Sequence, residues 1–437
     1  GRAATPPPGF EETAVSGTIT LATAMEFAPG GKLYVLEQAG TMEVYQSSGS
    51  LGGTWTQVAP SNNFFTGNPL GINSIGERGL LGVAFDPNFA SNRFLYVYYT
   101  AAVPIHNRVS RFTANLAGTQ VVAGSESILM DFDNLGVESF HNGGAIHFGP
   151  DGKLYVAVGD NVDGANSQSI GTRFGKMLRL NPDPLNPIPA DNPTSIAGIA
   201  GTPAGVNRAI WAAGLRNPFT FAFRPGSGVM YINDVGDGTW EEINIGAAGA
   251  NYGWNITEGP FNQALFPNFT HPIVYYHHDI AAMSFPPLAG FIGSAITGGA
   301  FYTPSTATFP ADYVGDYFFA DYGHNWIKRY DPVAQSVQDF ASVAGSPVDL
   351  RVGSDGVLYY LARDSISFGN GRVYRIQAVC AVDIAPGAGD GTVNIHDVLF
   401  VIANWLGGPG NPADITGDGF VNVFDLLAVI AEWGPCG

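Results

Sequence analysis

The stretch FGPDGKLYV, residues 148–156, decides the fold: an apolar residue and Pro lead into a Gly turn, and an aliphatic and aromatic run returns from it. Such a phrase reads as a β-hairpin, with Gly providing the backbone freedom that a tight turn demands. It recurs as FAPGGKLYV from Phe27, FRPGSGVMY from Phe223 and VGSDGVLYYL from Val352. AFDPNFASNRFLYVYYT from Ala84 and GGAFYTPSTATFPADYVGDYFFAD from Gly298 are longer relatives with insertions at the turn, which brings the copies to six. Four-stranded units repeating at roughly 40 residues or more mark a β-propeller, which closes radially and gathers the loops of every blade around one axis. The sequence therefore predicts an all-β, six-bladed β-propeller, with function in the segments between the phrases.

Composition agrees with that class. Among 437 residues, Gly 58 and Pro 30, with aromatics at 12% and charged residues at only 13%, fit a turn-rich β protein. The formal net charge of -18 repels phosphate backbones, which argues against nucleic-acid binding and suits calcium, a neutral sugar or an acidic extracellular surface. No apolar run reaches the ~18 residues of a membrane helix. The opening GRAATPPPGF carries no charged-then-apolar leader, so the expectation is a processed export product that is secreted, periplasmic or at the cell surface. Cys380 and Cys436 bracket the C-terminal segment of a chain otherwise free of cysteine, and a disulfide closing that segment in an oxidising compartment is the natural reading.

That segment divides the chain into a propeller over 1–379 and a small second domain over 380–437. DGTVNIHDVLFVIANW from Asp390 aligns with DGFVNVFDLLAVIAEW from Asp418 at a constant offset of 28 residues, an internal duplication. In the second copy Asp414, Thr416, Asp418, the Phe420 carbonyl, Asn422 and Asp425 occupy positions 1, 3, 5, 7, 9 and 12 of an EF-hand-type calcium loop, with Gly419 at the sharp turn. The first copy offers Asp383, Asp390, Asn394 and Asp397, with PGA inserted after the opening Asp. These two segments resemble dockerin repeats, in which one helix follows each loop. The resemblance implies calcium and a cohesin-like protein partner; a module that only stabilises the end of the chain is the plainer alternative.

Three segments between the blade phrases carry chemistry. ESFHNGGAIHF from Glu138 places His141 just ahead of an inner strand, and His is the side chain best matched to proton abstraction near neutral pH. Gly143 and Gly144 permit close approach of backbone to a ligand. WAAGLRNPFTFAF from Trp211 brings Arg216 and Asn217 to the start of another inner strand, where a guanidinium can hold a carboxylate or an oxyanion. DVGDGTWEEINIGAAGANYGWN from Asp234 combines carboxylates with carbonyls at glycines, which is hard-cation chemistry. Each also has a plain structural reading: a turn histidine, an arginine bonded to loop carbonyls, a solvated acidic loop.

Taken together, ERGLLGVAFDPNF, HNGGAIHFGPDGKLYVAVGD, GKMLRLNPD, GLRNPFTFAF, WEEIN, NYGWN and ITGGAFY resemble, in order, the soluble quinoprotein glucose/sorbosone dehydrogenase family, which includes Hedgehog-interacting-protein-like relatives. The resemblance implies a six-bladed propeller holding pyrroloquinoline quinone (PQQ) over calcium and oxidising an aldose at its anomeric carbon to a lactone. It implies His141 as base and Arg216 as the cation at the reduced oxygen, with Asn217 beside it. Glu77, Arg78, Gly236 and Arg351 become candidates for holding the cofactor. The carbonyls of Gly236 and Asp237 are candidate calcium ligands; Glu241, Glu242 and Tyr252 match positions near a further calcium. The family also grips its quinone's three carboxylates with a Lys on the fifth blade and an Arg-x-Arg before the sixth phrase. Here Gly323 or His324 stands at the first place, and Ser346 and Val348 at the second; Arg351 is displaced, and Arg78 or Arg173 could compensate. Two readings follow: a PQQ-dependent sugar dehydrogenase, or a non-catalytic propeller that binds carbohydrate or protein and is tethered through its C-terminal module.

Overall fold

The protein was analysed as a computed structural model, which describes residues 4–49, 53–58, 64–65, 70–279, 290–342, 344–364, 370–379, 382–384 and 392–435. Cys380, Cys436 and Asp390 lie outside the described residues, and with them the expected disulfide and one ligand of the first calcium loop.

Six four-stranded antiparallel sheets form the blades of the propeller. Their inner strands are Ala22–Phe27, Leu80–Phe85, Ile146–Phe148, Pro218–Phe223, Ile296–Phe301 and Pro347–Val352, each followed by the returning strand of its phrase. Blades one to five use consecutive strands. Blade six takes Pro347–Val352, Leu358–Ala362 and Arg372–Ala378 from the C-terminal side and adds Phe10–Ala14 as its outermost strand. That last pairing, Phe10 opposite Ala378 through Ala14 opposite Tyr374, closes the ring with strands from its two ends and leaves no open seam.

Cohesion lies between blades. Tyr34, Leu36 and Met42 of blade one pack with Leu80, Val83 and Phe85 of blade two, and comparable buried clusters fill the other five junctions around the ring. Alternating strand residues serve the two flanking interfaces, which is why the returning strands are largely apolar, as in Leu154–Val158 and Leu358–Ala362. The inner hairpins of five blades shift register within the first residues of the inner strand, at Ala22/Ala24, Leu80/Gly82, Pro218/Thr220, Thr297/Ala300 and Pro347/Asp349. These bulges sit at one rim of the ring and turn backbone and side chains toward the axis. Blade three keeps regular register in its short inner hairpin and reaches the same rim through Gly143 and Gly144, with φ +63° and +121°.

Among the described residues the C-terminal module holds two helices, Ile395–Ala403 and Val423–Ala431, related by the sequence duplication. Both begin with a capping box, Asn394 with Asp397 and Asn422 with Asp425, which satisfies the free N–H groups of the first turn. Val393, Val401, Val421 and Val429 form the centre of a small core, while Leu399, Ile402, Phe424, Leu427 and Ile430 face outward. No helix among the described residues is long and apolar enough to cross a membrane.

Candidate functional site

The rim residues enclose an axial cavity of about 280 Å³. Every blade contributes: Thr23, Val83, Ala145, Phe219, Thr297 and Val348 come from the six inner strands or their approaches. Its far end is closed by Arg351, whose Nε lies 3.1 Å from Glu26 Oε2 and whose Nη1 lies 2.6 Å from Asp349 Oδ1. His147 joins them at 3.4 Å from Glu26. Burial alone would raise the Glu26 carboxyl, but the charges of Arg351 and His147 outweigh it and hold it below the usual range. Burial pushes Asp349 up to about 6 even beside Arg351.

At the open end, His141 adopts φ +55°, a left-handed conformation fixed by its N–H donating to Glu77 Oε2 at 2.9 Å. The imidazole Nδ1 lies 2.7 Å from Oδ1 of Asp160, which is nearly inaccessible to solvent. Asp160 is itself fixed: Oδ1 accepts the Val162 N–H at 2.8 Å and Oδ2 the Trp254 indole N–H at 2.9 Å. Such a carboxylate selects the tautomer that leaves Nε2 as a free acceptor. The loop carrying Asp160 is pinned by Lys176, whose ammonium donates to the carbonyls of Asn166, Ser167 and Phe174. Burial lowers the Lys176 amine to about 7, with Asp160 and Asp133 acting in the opposite sense.

Arg216 stands beside this pair. Its Nη2 is 3.0 Å from Asp237 Oδ1, its Nη1 donates to the Val235 carbonyl at 3.1 Å, and its guanidinium lies over Trp254 at 5.7 Å. Asn217 Oδ1 accepts the Gly143 N–H at 3.1 Å, tying the approaches of blades three and four together. The backbone also requires Gly159 there, since a Cβ would sit 2.1 Å from the His141 carbonyl oxygen and 2.8 Å from Asn217 Oδ1.

The structure thus gathers His141, Arg216, Asn217, Glu77 and Asp237 at one rim. Other candidates occupy different surroundings. Arg78 is buried beneath the loop before His141 and donates to the carbonyls of Gly136 and Glu138. Arg173 pairs with Asp133 at 3.1 Å. Arg351 belongs to the ionic cluster at the closed end. Glu241 and Glu242 face opposite sides of their strand: Glu241 bonds His278 and the Ile296 N–H, Glu242 the Asn244 side chain and the Gly259 N–H. Burial raises Glu242 to about 7 and Asp234, its cross-strand neighbour, well above the usual carboxylate range. Tyr252 lies between blades three and four with its hydroxyl on the Ile245 carbonyl. Among the described residues no cluster of three or more His, Cys, Asp or Glu side chains is poised to hold a metal. The Gly236 and Asp237 carbonyls accept no backbone hydrogen bond among the described residues. Sequence reasoning missed Asp160, Trp254 and Lys176. Asp160 was in view at the end of LYVAVGD, where a strand end carrying an acid toward a predicted axis was the available signal.

In the second C-terminal loop, Asp414 Oδ2 accepts the Gly419 N–H at 2.9 Å while its buried Oδ1 has no partner among the described residues. Asp425 Oδ1 accepts from Thr416 Oγ1 at 3.0 Å and Asp418 Oδ2 from Asn422 Nδ2 at 2.9 Å, bonds that tie the loop together. An unpartnered buried carboxylate oxygen in such a cradle fits a hard cation. In the first loop Asp397 accepts the N–H groups of Ile384 and Asn394, repeating that scaffold; Asp383 opens it.

The family model for Glucose / Sorbosone dehydrogenase matches residues 20–375. The chain belongs to this family. A second model, Dockerin type I domain, matches residues 388–432. Within the family, the chain is 28% identical over 311 residues to the aldose sugar dehydrogenase YliI of Escherichia coli (strain K12), covering 66% of this chain and 76% of that protein. It is 27% identical over 279 residues to the quinoprotein glucose dehydrogenase B of Acinetobacter calcoaceticus, covering 57% of this chain and 53% of that one. HIPL2 protein of Arabidopsis thaliana matches at 28% over 305 residues, 56% of this chain and only 42% of that protein. Among solved structures, the PQQ-bound aldose sugar dehydrogenase from Streptomyces coelicolor superposes with a TM-score of 0.63 at 24% identity, covering 85% of this chain and 99% of that one. The apo aldose sugar dehydrogenase from Escherichia coli gives 0.67 at 20% identity, covering 85% and 100%. These two likenesses establish the fold.

Proposed function

We propose that the propeller is a calcium-assisted, PQQ-dependent dehydrogenase that oxidises an aldose at its anomeric carbon. The observation that carries this reading is the His141–Asp160 pair, set beside Arg216 and next in sequence to Phe140, Asn142 and Asn217, which line the axial cavity. The cavity is apolar along much of its wall, where Phe140, Phe219 and Tyr322 lie, and Arg363 on the same wall is a cation that fits a quinone carboxylate. Arg216 and Asn217 would hold the group at one side, and the Gly236 and Asp237 carbonyls its calcium. The chemistry such a quinone supplies when bound is acceptance of a hydride.

The chain's own part is acid–base and electrostatic. Nε2 of His141 takes the proton of the anomeric hydroxyl, and the charge that develops on the ring is balanced by Asp160, already in place and desolvated. Trp254 keeps that carboxylate from rotating away. Arg216, part-neutralised by Asp237, contributes a fixed positive end to the rim.

We also take the chain as two units, 1–379 and 380–437, the second binding calcium in its Asp414 loop, docking a cohesin-like protein and serving a secreted enzyme. The test is reconstitution of purified protein with PQQ and calcium, followed by dye reduction across a panel of aldoses. Turnover that collapses in His141→Ala supports the proposal. A second reading, a propeller that binds carbohydrate or protein without turnover, is favoured by Ser346 and Val348 standing where the family places Arg-x-Arg; sugar binding without dye reduction under saturating quinone would select it.

A further inference from the structure

Among the described residues two arginines line the axial cavity, Arg351 and Arg363, and they differ in one respect. Arg351 is neutralised by Glu26 and Asp349. Arg363 donates to the Ala22 carbonyl at 2.8 Å and to Gln38 Oε1 at 2.6 Å, both neutral acceptors. A guanidinium has five N–H donors in a planar fork, so those two bonds leave it under-used. No carboxylate among the described residues forms an ion pair with it, and the propeller segments outside the description, including 280–289 and 365–369, contain no Asp or Glu. The nearest acidic groups that act on it are Glu77, already engaged by the His141 N–H, and the phenol of Tyr322. Burial accordingly lowers the Arg363 pKa, the mark of a cation that lacks its counter-ion.

The backbone explains how this cation reaches the mouth. The Arg363 N–H donates to the Ser346 carbonyl at 3.0 Å, and the Asp364 N–H to the Gly345 carbonyl at 2.8 Å. Arg363 therefore pairs with the approach to the last inner strand, whose Ser346 carries no charge and whose Val348 lines the cavity with a methyl surface. On the fifth blade, His324 is held near Ser294 and Asp321. The described cavity wall thus presents one under-neutralised cation, contributed by the returning strand of blade six.

We infer that Arg363 is the carboxylate-receiving residue of the axial cavity, binding a planar carboxylate-bearing ligand through the free edge of its guanidinium. The inference rests on the reading of this cavity as a quinone pocket and names the residue that grips the acidic group there. A fork-on-carboxylate contact in a buried wall is charge-assisted and bidentate, and its removal costs roughly ten- to hundredfold in affinity.

The experiment is calorimetric titration of the full chain with PQQ in the presence of calcium, and separately with benzene-1,3,5-tricarboxylate, for the native protein, Arg363→Gln, Arg363→Lys and, as a control at an exposed outer turn, Val333→Ser. The expected result is weakened binding of both probes in Arg363→Gln, partial recovery in Arg363→Lys, and unchanged affinity in Val333→Ser, with unfolding midpoints recorded to confirm that each variant is folded. Equal PQQ affinity in native protein and folded Arg363→Gln overturns the inference and leaves the dehydrogenase reading intact. Tricarboxylate binding that depends on Arg363, with no PQQ binding, upholds the inference and removes the quinone. Binding of neither probe by the native protein overturns both.

Discussion

The backbone N–H of Asp160 donates to the carbonyl of Arg216 at 2.8 Å. The residue that orients the histidine and the residue that brings the guanidinium are thus joined through the main chain, across the boundary between blades three and four. With Asn217 Oδ1 on the Gly143 N–H, this cross-link makes the base, its orienting carboxylate and the cation one rigid patch. Preorganisation of that kind avoids a reorganisation cost at the moment of proton transfer.

Replacing Asp160 by Asn keeps the shape and loses the charge. On the proposed function, kcat for sugar oxidation falls by about 10²- to 10⁴-fold with little change in sugar KM, because the wrong tautomer and an unbalanced imidazolium both oppose the step. Trp254→Phe, which removes only the indole donor to Asp160, loses about tenfold. Steady-state kinetics of the reconstituted enzyme check both, and full activity in Asp160→Asn would remove His141 from the base role.

Gly159→Ala adds a methyl where the His141 carbonyl oxygen would lie 2.1 Å away. The His141 backbone must move, so we expect loss of activity together with a lower unfolding midpoint. A crystal structure of the variant with His141 in place would contradict the packing argument.

Lys176 gives a pH signature. Its folded pKa, lowered by burial to about 7, lies below the ordinary amine value of 10.5. Between those values the unfolded chain binds the extra proton, so this group contributes stability that grows from pH 7 toward 10.5 and is lost as pH falls through 7. The difference in unfolding free energy between the native protein and Lys176→Met should therefore widen with rising pH over that interval. Denaturant titrations at several pH values measure it, and a pH-independent difference would mean that Lys176 stays protonated among its three carbonyls.

Calcium should act on the C-terminal module through the unpartnered Asp414 oxygen. At 100 times the dissociation constant, the folded module gains about 2.7 kcal/mol by mass action. Its thermal transition should rise on adding calcium, fall on chelation, and cease to respond in Asp414→Ala. Calorimetry of the full chain with and without chelator reads this directly; an Asp414→Ala protein that still responds would place the ion elsewhere.

Ring closure rests on Phe10–Ala14. Phe10 packs edge-on against Phe309 and Phe340, with centroids 4.8 and 5.3 Å away. Phe10→Ala should destabilise the propeller by about 2–3 kcal/mol, less than the ~3–5 of a fully buried Phe. Deleting residues 4–14 should do more, because it exposes the edge of Arg372–Ala378 to intermolecular pairing. Light scattering on heating distinguishes the two variants.

Much of the molecule was legible in the chain itself. Hairpin phrases at FGPDGKLYV and its five relatives specify strand, turn and strand locally, so the blade count followed from reading along the sequence. The Asp414-to-Asp425 spacing specified a loop and a helix for the same reason: its donors are close in sequence and its capping box is a contact over three residues. His141 and Arg216 were found because each precedes an inner strand, and a closed ring sends all such positions to one rim.

What only the tertiary structure decided is pairing over distance. Asp160 and Trp254, or Arg363 and Gln38, are far apart in sequence, and no local pattern says which strand end meets which. Whether an arginine is neutralised depends on neighbours contributed by other blades: Arg351 meets Glu26 across the ring junction, and among the described residues Arg363 donates to neutral oxygens. Periodicity and turn chemistry are short-range and so are written residue by residue. Burial and charge balance are sums over everything that the fold brings near, and they exist only once the ring has closed.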